Sequence, residues 1–231
     1  MHIFFRKTDM ANNYKLPTIL VSKEIDLYGL NPYDFRIYAH IAHRGKCYSK
    51  LETIGTICKI STRKTQSSLK NLCDLGLVKQ IKRTWTTDIY TIESMNNWKK
   101  LENITEIQTE EINVEEVQPI FLHGVLDLYG LNPYDFRIYA HIAAYKGSYE
   151  SNFEQIKSIC KMSIRKAQYS VKNLCDLGLI KKVKYKGKKI LYVMTSRNEW
   201  KDPVYSQKLE NERNKFEKSL LSPNQNNDAV L

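Results

Sequence analysis

The sequence predicts a mainly α fold with small β-hairpins (α+β class), built as two tandem copies of one small domain. Three observations carry this. The stretch DLYGLNPYDFRIYAHIA occurs unchanged at Asp26–Ala42 and again at Asp127–Ala143. Around it the copies align as far as Trp98 and Trp200, at an offset of 101 that becomes 102 after one inserted residue near Gly147. Within each copy the apolar period changes once, from helical to alternating.

Each element has its own signal. Asn31 is a good N-cap and Pro32 suits the first helical position, so a helix is expected over Tyr33–Ala42, with Phe35, Tyr38, Ile41 and Ala42 on one inward face. Ser49 with Glu52, and Ser151 with Glu154, read as capping boxes that open a second helix ending near Lys59. Ser61 caps a third helix that runs through Leu75 and stops at Gly76, with Leu69, Leu72 and Leu75 as its buried stripe. The alternation in Leu77–Ile92 and Leu179–Met194 reads as two strands around a turn, with Gly187 at the second tip.

Helix, helix, short turn, helix, hairpin is the order of a winged helix-turn-helix domain. GLNPYDFRIYAHIA, a helix pair joined by CKIS, and NLCDLGLVK resemble the helix-turn-helix domains of plasmid and phage replication initiators and related bacterial regulators. The resemblance covers roughly residues 17–98 and 119–201. The expected organisation is a winged-helix domain at 1–98, an acidic linker at 99–118, a second winged-helix domain at 119–201, and a short helix with a disordered tail at 202–231. Identity of the first helix in both copies suggests a scaffold that forms the contact between the units, and each unit is expected to fold alone.

Charge agrees with a nucleic-acid partner. The chain carries +11 overall; residues 1–98 contribute +7 and residues 119–201 +9, while the connector carries −4 and the tail −1. Positive charge therefore belongs to each repeat, the footprint of a protein that neutralises phosphates.

The third helix of each unit is the candidate reader. Thr62, Arg63, Gln66, Ser67 and Lys70 are expected to face outward near its start, where recognition helices meet base edges, with Lys64 beside them. The second set is Ile164, Arg165, Lys166, Gln168, Tyr169 and Lys172. Arg can hold guanine and Gln adenine bidentately, whereas Lys suits phosphate. Thr62/Ile164 and Ser67/Tyr169 differ, so similar but unequal half-sites follow. The wings add Lys82, Arg83 and Trp85 in the first copy and Lys182, Lys184, Lys186, Lys188 and Lys189 in the second. The second wing is expected to hold more phosphate.

Other constellations read as structure. Cys58/Cys160 and Cys73/Cys175 lack the close ligand pairing of zinc sites and read as small buried hydrophobes. His40 and His141 read as half-buried packing residues, and the repeated Tyr28, Tyr33 and Tyr38 as packing aromatics. No cofactor, metal or catalytic constellation is expected. The chain reads as a soluble cytoplasmic protein, nucleoid- or plasmid-associated, with double-stranded DNA as partner and no membrane. Replication or transcription machinery is a further expected partner. An amphipathic pattern through Tyr205, Leu209, Phe216 and Leu220 suggests self-association. The rival reading is a tandem winged-helix module that grips partner proteins in a chromosome-segregation or replication complex.

Overall fold

A computed structural model describes residues 18–100, 119–184, 190–203 and 211. The expectations for the connector beyond Lys100, the tail helix and the tip of the second wing lie outside them. The first unit runs β1 (Thr18–Val21), a 3-10 turn (Lys23–Tyr28), α1 (Pro32–Arg44), β2 (Lys46–Cys47), α2 (Leu51–Cys58), α3 (Thr62–Asp74), β3 (Val78–Ile81) and β4 (Ile89–Ile92). The second repeats it as β5 (Ile120–His123), a 3-10 turn (Gly124–Tyr129), α4 (Pro133–Ala144), β6 (Ser148–Glu150), α5 (Phe153–Cys160), α6 (Ile164–Asp176), β7 (Ile180–Lys184) and β8 (Ile190–Met194). In each unit the wing hairpin gains a third strand, giving antiparallel sheets β2-β4-β3 and β6-β8-β7.

Local chemistry explains where the helices begin and end. Asn31 Oδ1 accepts hydrogen bonds from the amides of Tyr33 and Asp34 at 3.0 and 3.1 Å, and Asn132 repeats this for Tyr134 and Asp135. Ser61 Oγ accepts from the Lys64 amide and Ser163 Oγ from that of Lys166, both at 3.3 Å, so the caps expected for the third helices form. The capping boxes of the second helices do not. The N-cap of α2 is Lys50, with no side-chain bond, and that of α5 is Asn152, whose Oδ1 accepts from the Gln155 amide. Ser151 lies one residue too early, its amide donating to Ile190 O of the wing sheet. A capping box does occur at Ser196 and Glu199, in the 3-10 turn after β8. Gly76 takes φ +71°, and a Cβ there would meet Asn97 O at 2.8 Å. Glycine is needed for both reasons.

The core is continuous across the two units. β1 and β5 pair antiparallel, Ile19 with Leu122 and Val21 with Ile120, so that Leu20 faces its repeat equivalent Phe121 at the centre. Beneath this ribbon, α1 packs against α4. Every residue of α1 from Asp34 to Ile41 is buried, because one face meets its own unit and the other the second unit. A single inward face underestimates that helix.

The contacts between units come in exchanged pairs. Arg36 bonds Asp127 and Arg137 bonds Asp26, each at 2.6 Å. Arg36 lies over the Phe136 ring and Arg137 over Phe35, at 4.2 and 4.3 Å from the centroids. Lys161 packs against Gly29 and Lys59 against Gly130, both glycines at positive φ. Tyr33 and Tyr134 share a 3.0 Å hydroxyl contact, and the Phe35 and Phe136 rings lie tilted to one another with centroids 6.5 Å apart. Residue i touching j′ while j touches i′ is the mark of a two-fold, isologous interface. Such an interface needs the same residues on both sides, which accounts physically for the unchanged stretch. The expected first-helix contact is present.

Buried polar groups fit this packing. His40 and His141 are fully buried, deeper than the half-burial expected. His40 Nε2 accepts from Arg44 Nε at 3.2 Å, while His141 forms a cluster of three rings with Tyr145 and Tyr149. Cys58 and Cys160 are enclosed, and burial pushes their thiols up to about 11 and about 12. Cys73 and Cys175 are half-buried.

Candidate nucleic-acid interface

α2 and α3, joined by the turn at Lys59–Ser61, form the helix pair of the first unit; α5 and α6 form that of the second. The turn residues Lys59 and Lys161 take the left-handed backbone, φ +56° and +49°. Thr65, Ser68, Leu69 and Leu72 bury one side of α3; Ala167, Ser170, Val171 and Leu174 do so for α6.

The opposite faces hold the expected side chains. Thr62, Arg63, Gln66, Ser67 and Lys70 are exposed, as are Arg165, Lys166, Gln168, Tyr169 and Lys172. Lys64 and Ile164 are half-buried. Lys64 Nζ lies 5.1 Å from the Tyr33 ring centroid and Lys166 Nζ 4.9 Å from that of Tyr134. Those two rings touch, at 5.5 Å between centroids. The starts of both helices therefore converge on the tyrosine pair at the two-fold axis.

A polar strap sets each reading helix relative to that axis. Asp34 Oδ2 accepts from Asn31 Nδ2 at 2.6 Å and from Asn71 Nδ2, on α3, at 2.8 Å. Asp135 accepts from Asn132 and from Asn173, on α6, at 2.7 and 2.5 Å. Charge-assisted bonds of this kind are the stronger ones. Sequence reasoning missed these positioning groups and the tyrosine pair, although Asp34, Tyr33 and their equivalents lie inside the unchanged stretch.

The first wing is braced from within. Arg83 Nε and Nη2 donate to Thr87 O at 2.8 and 2.5 Å, and the guanidinium lies over the Tyr48 ring. Asp88 accepts from Gln80 Nε2 at 2.7 Å and from the Arg83 amide; the Gln80 bond, foremost, holds its carboxyl below the usual range. Lys82 is exposed, and Trp85 projects from the tip 98% exposed at φ +64°. In the second wing Lys182 and Lys184 are exposed on β7. Lys186, Lys188 and Lys189 lie outside the described residues.

Residues 28–78 and 129–180, one stretch in each unit, match the model of a family described as a helix-turn-helix domain. The chain is a tandem winged helix-turn-helix protein, and domains of this class indicate DNA binding. A search of curated proteins finds none that matches the chain. Among the described residues no helix is long and apolar enough to cross a membrane.

Proposed function

We propose that the chain is a sequence-specific double-stranded DNA-binding protein, a plasmid- or phage-type replication initiator or a transcriptional regulator, that grips a bipartite site as a built-in pseudo-dimer and performs no catalysis. The carrying observation is the pair of reading faces. Arg63, Gln66 and Lys70 on α3, and Arg165, Gln168 and Lys172 on α6, are exposed at matching positions on one two-fold body. In this reading the Arg and Gln side chains meet base edges in the major groove, while Lys64, Lys70, Lys166, Lys172 and the wing lysines meet phosphates. Residues 1–98 and 119–201 are the two DNA-binding domains. Linking them raises the effective concentration of the second reader once the first has bound.

The test is selection of bound duplexes from a random-sequence library, followed by a salt titration of the winning site. A steep fall of affinity with salt and one enriched sequence support the reading. Weak, salt-insensitive binding with no enriched sequence overturns it in favour of a protein-binding module. Footprinting on host DNA then separates an origin from a promoter.

A further inference from the structure

We infer that the DNA site is an imperfect inverted repeat, its two half-sites facing one another about a centre covered by Tyr33, Tyr134, Lys64 and Lys166. This rests on the DNA-binding reading above and adds the orientation and centre of the site. Tandem duplication by itself does not decide orientation, because two domains on a connector can sit head-to-tail as readily as face-to-face. The packing decides it. β1 and β5 run antiparallel about the Leu20–Phe121 pair, and the Arg36–Asp127 and Arg137–Asp26 bonds exchange partners. That is a two-fold relation, and a two-fold protein reads the two strands of a duplex in opposite senses, so its half-sites are inverted.

The centre follows from the tyrosine pair. From Lys64 Nζ to one ring is 5.1 Å, between rings 5.5 Å, and from the other ring to Lys166 Nζ 4.9 Å, which leaves the ammoniums at most about 16 Å apart. They are too close to serve two major grooves one turn, about 34 Å, apart. A separation within that limit suits a pair that straddles one minor groove, about 6 Å wide, which faces the protein midway between two such major grooves. Lys64 and Lys166 thus bind phosphates at the centre, and the exposed faces of α3 and α6 read bases on either side.

The imperfection has two named sources. Along the outward faces of the reading helices the copies differ only at Thr62/Ile164 and Ser67/Tyr169. Placing Thr62→Ile and Ser67→Tyr together in the first unit gives both helices the same outward set, and the reciprocal Ile164→Thr with Tyr169→Ser does the same from the other side.

The experiment is selection from a random duplex library with the wild-type chain and with each double variant. An inverted repeat with unlike halves is expected for wild type, and a more nearly perfect palindrome for both variants, each matching a different wild-type half. Turning one half-site of the wild-type winner to a direct arrangement should lower affinity by about 10²–10⁴, to that of a single half-site. Enrichment of direct repeats, or equal affinity for the direct arrangement, overturns the inference while leaving DNA binding intact. Enrichment of no sequence by folded protein overturns the DNA-binding reading and the inference with it.

Discussion

Arg36 and Asp127 form a buried ion pair across the two units, and Arg137 and Asp26 form its mirror image, both at 2.6 Å. The two copies are not electrostatically equal. Burial raises Asp127, but the His43 ring, whose Nδ1 lies 3.4 Å from Oδ2, and the Arg36 charge outweigh it and hold the carboxyl at about 2. At the position equivalent to His43 the second copy has Ala144, and burial pushes the more enclosed Asp26 up against the pull of Arg137. One isologous contact is thus already specialised at one end.

Asp127→Ala leaves the Arg36 guanidinium buried without its carboxylate. Removing one member of a buried pair costs on the order of 3–5 kcal/mol. Urea unfolding should show a loss of that size. Replacing both members by apolar residues, Arg36→Met with Asp127→Leu, should recover most of it. A single variant as stable as wild type would show that the pair does not hold the units together.

The shared core changes what happens when the connector is cut. The expectation that each unit folds alone takes no account of Ile19, Val21, Phe35 and Arg36, all enclosed within a core common to both units. Protein nicked between Glu110 and Glu111 should elute as one particle at the size of the intact chain. Each half expressed separately should be less stable than the nicked complex. Two stable, non-associating halves would contradict the shared core.

Stability should fall as pH falls below neutrality. Burial, foremost, lowers His40 to about 4 and His141 to about 3, so both stay neutral in the folded chain while the unfolded chain protonates them near 6.5. Between those values the unfolded state binds more protons, so stability rises with pH by roughly 1.4 kcal/mol per unit for each histidine. Asp127 adds stability that is present above its unfolded value and is lost as pH falls through about 2. Urea midpoints between pH 7.5 and 4.5 should trace the histidine slope, and His40→Gln with His141→Gln should flatten it.

Within one unit the fold was legible because its signals are local. Ser61 as cap, Gly76 as stop and the switch from helical to alternating period each act over a few residues, and the polar face of α3 follows from the same periodicity. What escaped was relational. β1 and β5 have four residues each and gain meaning only by pairing with one another across about a hundred positions. β2 and β6 join the wing sheets as very short strands. The second buried face of α1 looks like any apolar helix until its partner is known. The half-burial of Lys64 depends on Tyr33, which is placed by the axis and not by α3.

Base reading and phosphate anchoring should separate by substitution. Arg63→Ala or Arg165→Ala should each cost about 1–3 kcal/mol on the selected site and relax preference at one base pair, since an exposed arginine near a helix start suits bidentate contact with guanine. Lys64→Gln with Lys166→Gln should weaken binding to all sequences alike and reduce the salt slope by about 2, one for each phosphate that is no longer neutralised. Lys182→Gln with Lys184→Gln should behave in the same way, from the wing. Arg83→Ala should act differently again: its guanidinium holds the loop at Thr87 and lies over Tyr48, so the effect should appear as a looser first wing in hydrogen exchange, with little change in base preference. Binding isotherms on the selected site and on a scrambled duplex, each at several salt concentrations, distinguish these outcomes. Equal weakening on both duplexes by the arginine variants would move Arg63 and Arg165 from base reading to phosphate binding.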